Sequence, residues 1–331
     1  MRFDDSYSPS VRQHVTLLTI ARTSTNACYR FAPPFLAIIA RGFDVSIAQM
    51  GIALTVAELT GLASPLIGHR VDAMTRRRAL RLGLFGVALG TLITASAPHL
   101  AVFTLGIIVL AASKVAFDVA LGAWVADHVP WNRRSKVVGY TETSWALGLL
   151  LGVTTMGLIT AVTNWRVAYA TGAIAVLILG LIVSNRLPVA DDVIHEHNDD
   201  LEMHLEHGVL RRGSWYAIAS CFTLMGASQC IFVTFGPWLE DTFEYSAANQ
   251  AVLLTPFLLM GAMSPVTIPA TLAQQIAEAL TGITLSQLIR PGSPVIFGSF
   301  LSNIDMQSGS PQFGTPESGI GLLCTGQIAR H

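Results

Sequence analysis

The sequence predicts an all-α membrane protein: a bundle of six spanning helices and a seventh span, followed by a partial α/β fragment with a βαβ pattern. Three observations predict it. Only 12% of the 331 residues are charged, about half the share in a typical soluble domain, and the mean hydropathy is +0.54. Apolar segments of about 20 residues, the length that crosses a hydrocarbon core, recur along the first three quarters of the chain. The basic residues gather in alternate connections between them.

The spans are expected near 15–40, 46–68, 79–97, 101–126, 137–161, 165–186 and 214–239. The first is too long for a signal-peptide core and carries Arg22 and Arg30, so it reads as a retained helix. Gly86 with Gly90, and Gly148 with Gly152, are small-xxx-small steps that let helix backbones approach closely in lipid.

One set of connections holds Arg2, Arg12, Arg70, Arg76, Arg77, Arg78, Arg81, Arg133, Arg134, Lys136, Arg186, Arg211 and Arg212. The other set holds Arg41 and Arg166. This bias predicts a multi-pass protein of the cell's inner (plasma) membrane with its N-terminus in the cytoplasm. With seven spans, the residues after Glu240 would then lie outside the cytoplasm. The formal net charge of −1 offers no global basic field for nucleic acid.

The domain plan is a transmembrane bundle at 1–186, a cytoplasmic acidic and histidine-rich linker at 187–213, a seventh span within 214–250, and a separate fragment at 251–331. The linker contains His195, His197, His204 and His207 among several carboxylates. Such tracts are usually solvated, so no metal site is expected. Cys28, Cys221, Cys230 and Cys324 are scattered without a CxxC pair and read as buried small hydrophobes.

Charges inside the apolar segments are the candidate functional residues. A charge near the bilayer centre costs at least about 2.5–3.5 kcal/mol on insertion scales, so it must pair or face a cavity. Arg30, Glu58, Lys114, Asp118 and Glu142, with Trp145 on the face of Glu142, are the expected lining of a polar cavity. That cavity would take an ionic or zwitterionic solute or carry protons. Purely structural pairing is the other reading of the same residues. Lys114 and Asp118, four apart, can pair on one helix. Arg22, near the cytoplasmic end of its segment, is expected to snorkel.

After residue 250 the chain changes character. Hydropathy alone would make an eighth helix of the uncharged run 251–273, but Pro256, Pro265 and Pro269 argue against a regular span. Thr271–Ile289 is an amphipathic helix stopped at Arg290-Pro291-Gly292, and 294–298 reads as a short buried strand. Ser302–Glu317 is rich in Gly, Pro and Ser and reads as a loop.

Several blocks carry resemblances. Gly68-x3-Asp72-x3-Arg76-Arg77 resembles the loop between the second and third helices of major facilitator superfamily transporters. Tyr29-Arg30-Phe31, Asp118 with Trp124 to Pro130, Glu142-x-x-Trp145 and Asn164-Trp165-Arg166 fit the same family, over roughly 10–250. Thr75 departs from its usual glycine. The resemblance implies two six-helix bundles that rock about a central site. In that family the acid and bases of the loop lock one bundle to the other, so Gly68, Asp72, Arg76 and Arg77 are the expected gating loop. With those partner helices missing, the loop is expected to have nothing to gate.

Residues 253–331 resemble the trimethylamine methyltransferase family. The blocks are Gly261 to Thr267, Gln274 to Leu280, Arg290-Pro291-Gly292-x-Pro294-Val295 and Ser302 to Glu317. That family implies a TIM barrel that passes a methyl group from a methylamine or quaternary amine to a corrinoid protein. Its signature active-site residue is not in this chain. Met263, Asn303 and Asp305 are the expected strand-end residues facing a substrate.

The function expected from all this is transport of a small solute by a major-facilitator-type secondary transporter, truncated and inactive alone. Its partners would be the bilayer, the solute, and a chain supplying the missing second bundle. No cofactor and no catalytic residue are expected. The alternative is a membrane-tethered fragment of a corrinoid-dependent methyltransferase, and the junction reads as a chimera.

Overall fold

A computed structural model describes residues 7, 9–187, 252–254, 256–289, 291–292, 295–305, 311–312 and 314–330. Apart from Leu187, the expected linker and seventh span lie outside the described residues. The chain divides into two compact units, Met1–Pro130 with Tyr140–Ile194, and Trp131–Gly139 with His195–His331.

Helix α1 (Pro9–Arg30) buries Val15, Leu18 and Ala21 along one face. It stops before Pro33 and Pro34, which lack an N–H and bias the preceding residue away from helix. Helix α2 (Leu36–Phe43) resumes and ends at Asp44, held in the left-handed region at φ 55°. The expected first span is therefore two helices. Among the described residues, five helices are long and apolar enough to cross a membrane: Ile47–Asp72, Arg76–Ser96, Leu100–His128, Arg133–Val162 and Trp165–Arg186. They match the second to sixth expected spans.

Two of the five are interrupted. The first comprises α3 (Ile47–Glu58), a 3₁₀ turn at Leu59–Ala63 and α4 (Ser64–Asp72). A capping box starts it: Gln49 N–H donates to Ser46 Oγ (3.2 Å) and Ser46 N–H to Gln49 Oε1 (2.9 Å). Next come α5 (Arg76–Ser96) and α6 (Leu100–His128). The second interrupted span comprises α7 (Trp131–Leu147), a π turn at Gly148–Val153 and α8 (Thr154–Val162). Helix α9 (Trp165–Arg186) begins at the cap of Asn164, whose Oδ1 accepts from Val167 N–H at 3.0 Å.

Glycine sets the closest packing in this unit. A Cβ on Gly90 would lie 2.4 Å from the backbone nitrogen of Leu110, and one on Gly83 2.9 Å from that of Phe117. Helices α5 and α6 thus meet backbone to backbone. A Cβ on Gly152 would lie 2.3 Å from that of Ala27, and one on Gly148 2.8 Å from that of Asn26, which seats the π turn on α1. Both expected small-xxx-small steps are helix contacts.

In the second unit, β1 (Val252–Leu254) and β2 (Phe257–Met260) flank Pro256. Helix α10 (Ile268–Ile289) leads to β3 (Val295–Phe297) and β4 (Phe300–Ile304). The β1–β3 and β2–β4 pairs are both parallel, so the unit is strand, helix, strand. The uncharged run that hydropathy would make a helix enters a strand because its residues pair across this unit. Within the expected loop, β5 (Pro311–Gln312) pairs antiparallel with β4, and α11 (Pro316–Ile328) starts at the cap of Thr315. The composition of that stretch suits turns, but Thr315 followed by Pro316 is also a helix-start signal. Buried Gln275 joins the pieces, donating to Thr325 Oγ1 (3.1 Å) and accepting from Ser299 Oγ (2.9 Å).

Candidate functional site: a buried charge cluster

The charges cluster where three helices meet. Arg22 on α1 donates from Nε to Asp118 Oδ1 on α6 (3.2 Å) and from Nη1 to Glu142 Oε1 on α7 (2.6 Å). The same Nη1 reaches the Thr141 carbonyl at 3.3 Å. Lys114 Nζ donates to Asp118 Oδ2, one turn along α6, as the spacing predicts. Asn26 Nδ2 donates to Ser144 Oγ at 3.3 Å. Two bases and two acids balance, which offsets most of the cost of burying each.

Arg22 corrects the expectation that it snorkels. Its side chain is 11% exposed and bridges two acids. The helix begins at Pro9, ahead of the apolar run, so Arg22 sits well inside α1 and cannot reach its end.

A second group lies further along α1. Tyr29 OH donates to the Glu58 carboxylate, 2.8 Å from both oxygens. The Arg30 guanidinium stands 4.3 Å from the Trp145 ring centroid and 5.3 Å from that of Tyr29. The six expected cavity residues thus fall into two groups: Lys114, Asp118 and Glu142 around Arg22, and Glu58 and Trp145 around Arg30.

The expected gating loop is shorter than the motif. Gly68 and Asp72 lie in α4, Arg76 and Arg77 begin α5, and only Ala73–Thr75 connect them. Thr75, the departure from glycine, is the N-cap of α5, its hydroxyl accepting from Arg78 N–H at 3.4 Å. Arg76 binds Asp127 on α6 through Nε (2.7 Å) and Asp72 through Nη1 (3.2 Å). Arg77 donates to the Ser184 carbonyl on α9, from Nε at 3.1 Å. These residues have partners inside the same unit. Arginine's several donors let it use whatever acceptors a neighbouring helix offers.

In the second unit, Met263 lies in the turn after β2, where its carbonyl accepts from Gln274 Nε2 at 3.1 Å. Asn303 pairs with Met260 at the C-terminal end of the parallel strands, and Asp305 follows β4. Asn303 Oδ1 is buried without a hydrogen-bond partner among the described residues. Met263 is therefore in the turn that leaves the end of β2, next to Met260, which pairs with Asn303. No group of three or more metal-binding side chains is found among the described residues.

Comparison with known proteins separates the chain in the same way. Residues 235–331 match the family model described as trimethylamine methyltransferase. A glycine betaine methyltransferase of Desulfitobacterium hafniense is 42% identical over 92 residues, which are 28% of this chain and 19% of that protein. The uncharacterised transporter YgaY of Escherichia coli is 29% identical over 222 residues, 65% of this chain and 55% of its own length. The uncharacterised MFS-type transporter YwfA of Bacillus subtilis is 30% identical over 134 residues, 40% of this chain and 32% of its own length. Similarities to two families thus meet in this chain.

The fold of the transporter-like part has a solved counterpart. A bacterial homologue of the human lysosomal transporter Spinster, inward-facing and unoccupied, superposes with a TM-score of 0.59 at 14% identity. The superposition covers 87% of this chain and 64% of that one. The methyltransferase-like match starts at residue 235, inside the segment read from hydropathy as the seventh span. The chain spans about half the length of YgaY and about a fifth of the methyltransferase.

Proposed function

We propose that the transporter-like part is one bundle of a secondary transporter that moves a small ionic or zwitterionic solute across the cell's inner membrane, with its N-terminus in the cytoplasm. The observation that carries this is the balanced cluster of Arg22, Lys114, Asp118 and Glu142. Four charges drawn from three helices are an expensive way to hold a bundle together, since apolar packing of similar volume does as well or better. Ionisable groups inside spans mark solute and ion paths.

A rocking mechanism needs two bundles around one site. The transporter-like part corresponds to about half of YgaY, so we expect it to act with a second bundle from another chain. In proteoliposomes, the chain co-reconstituted with the C-terminal half of YgaY should take up at least one of a panel of small anions, cations and zwitterions. D118N should abolish that uptake, and the chain alone should show none. Absence of uptake by the pair for every solute overturns the transport reading. Uptake by the chain alone overturns the need for a partner.

Methyl transfer from trimethylamine or glycine betaine to a corrinoid protein is the other reading. In its favour, Asn303 sits where parallel strands end, the position that carries active sites in closed barrels. Against it, eight βα units close such a barrel, and the described residues hold a single strand–helix–strand unit followed by α11.

A further inference from the structure

Two aromatic rings and a carboxylate around a guanidinium make a recognisable arrangement. Trp145 on α7 and Tyr29 on α1 place ring faces 4.3 and 5.3 Å from Arg30 Cζ. Ring faces are electronegative and attract cations, Trp most strongly. Tyr29 also holds Glu58 through two 2.8 Å contacts to its carboxylate oxygens, fixing an acid beside the same rings. Tyr29, Arg30 and Trp145 are half-buried, and Glu58 is exposed.

We propose that Tyr29, Glu58 and Trp145 form a cation cage, that Arg30 fills it in this conformation, and that an organic cation, an ammonium or a guanidinium, displaces Arg30 when it binds. This rests on the transport reading and narrows its cargo to solutes bearing such a head group. The inner cluster leaves no better place for a cation. Arg22 and Lys114 are 11% and 6% exposed and already neutralise Asp118 and Glu142. Arg30 instead stands against two ring faces, with Glu58 held by Tyr29 and exposed. An internal cation that vacates a ready-made cage keeps the site from standing charged and empty, and it makes binding an exchange of one cation for another.

The exchange predicts that removing the internal cation tightens binding. The full chain in detergent micelles is titrated calorimetrically with tetramethylammonium, with sodium and acetate as controls. R30M should bind tetramethylammonium at least tenfold more tightly than the unaltered chain. Adding E58Q or W145A to R30M should lower that affinity at least tenfold, and sodium should not compete. R30K, which keeps a cation on a similar stem, should stay near the starting affinity and shows that the position tolerates change. No gain in R30M overturns the proposal. So does acetate binding that R30M loses, which would make Arg30 an anion ligand. A failed gain here, with uptake by the co-reconstituted pair intact, removes the cation cage and leaves the transport reading standing.

Discussion

Arg22 decides how the buried charges are shared. It holds Asp118 and Glu142 at once, and Lys114 balances only the other oxygen of Asp118. Replacing it by methionine keeps the stem and leaves an uncompensated buried acid. Breaking a buried pair from one side costs about 3–5 kcal/mol. R22M should therefore lower the thermal midpoint of the detergent-solubilised chain well below that of R30M, whose residue lies at a half-buried rim. Equal midpoints for the two variants would remove Arg22 from the centre of the network. The sequence shows that charges must pair inside these segments, and spacing alone finds Lys114 with Asp118. It does not show the bond from Arg22 to Glu142, because that depends on where three helices cross. Arg22 looked peripheral because apolar content locates the lipid-facing run, whereas the helix itself starts earlier, at Pro9.

Among the elements, α5 and α9 illustrate how ends are satisfied. Arg77, at the start of α5, donates to the Ser184 carbonyl near the end of α9. Arg166, at the start of α9, donates to the carbonyls of Ala95 and Ala97 at the end of α5. Each helix covers orphan carbonyls of the other with a cation, which also suits the negative end of a helix dipole. The sequence marked both arginines for orientation, Arg77 also as a gating-loop residue and Arg166 as part of a family block, but a cap on another helix leaves no local spacing. The glycine steps were legible as contacts, and α5 meets α6 backbone to backbone at Gly90. G90A must push α5 off the Leu110 backbone, against a 2.4 Å approach, and should cost about 1–3 kcal/mol as overpacking does. Gly122, on the same α6 helix, has nothing within 4 Å of its Cβ position. G122A should be neutral or gain up to about 1 kcal/mol from helix propensity. Thermal unfolding in one detergent compares them, and equal effects of the two would refute backbone contact as the cause.

At the scale of the whole molecule, the two parts were legible because their signals differ in kind. Spans are read from apolar length, and the second part from blocks of uncommon residues held in register. What hydropathy could not supply was the state of 251–260, since an apolar run suits a buried strand as well as a helix. Pairing decides it: Leu253 lies against Ile296, and Met260 against Asn303. These parallel strands have a consequence for chemistry. Parallel sheets are stable when both faces are covered and, in a barrel, when the ring closes. Among the described residues, β2 pairs only with β4, so one edge carries no neighbour. A substrate at Met260 and Asn303 would meet the ends of two strands, where a closed barrel gathers residues from several. The full chain, supplied with a methylated amine and a corrinoid protein, should therefore show no methylation of the corrinoid above a protein-free control. N303A should leave that null result unchanged. Methylation that N303A abolishes would instead make this unit a working active site and the transporter-like part its anchor.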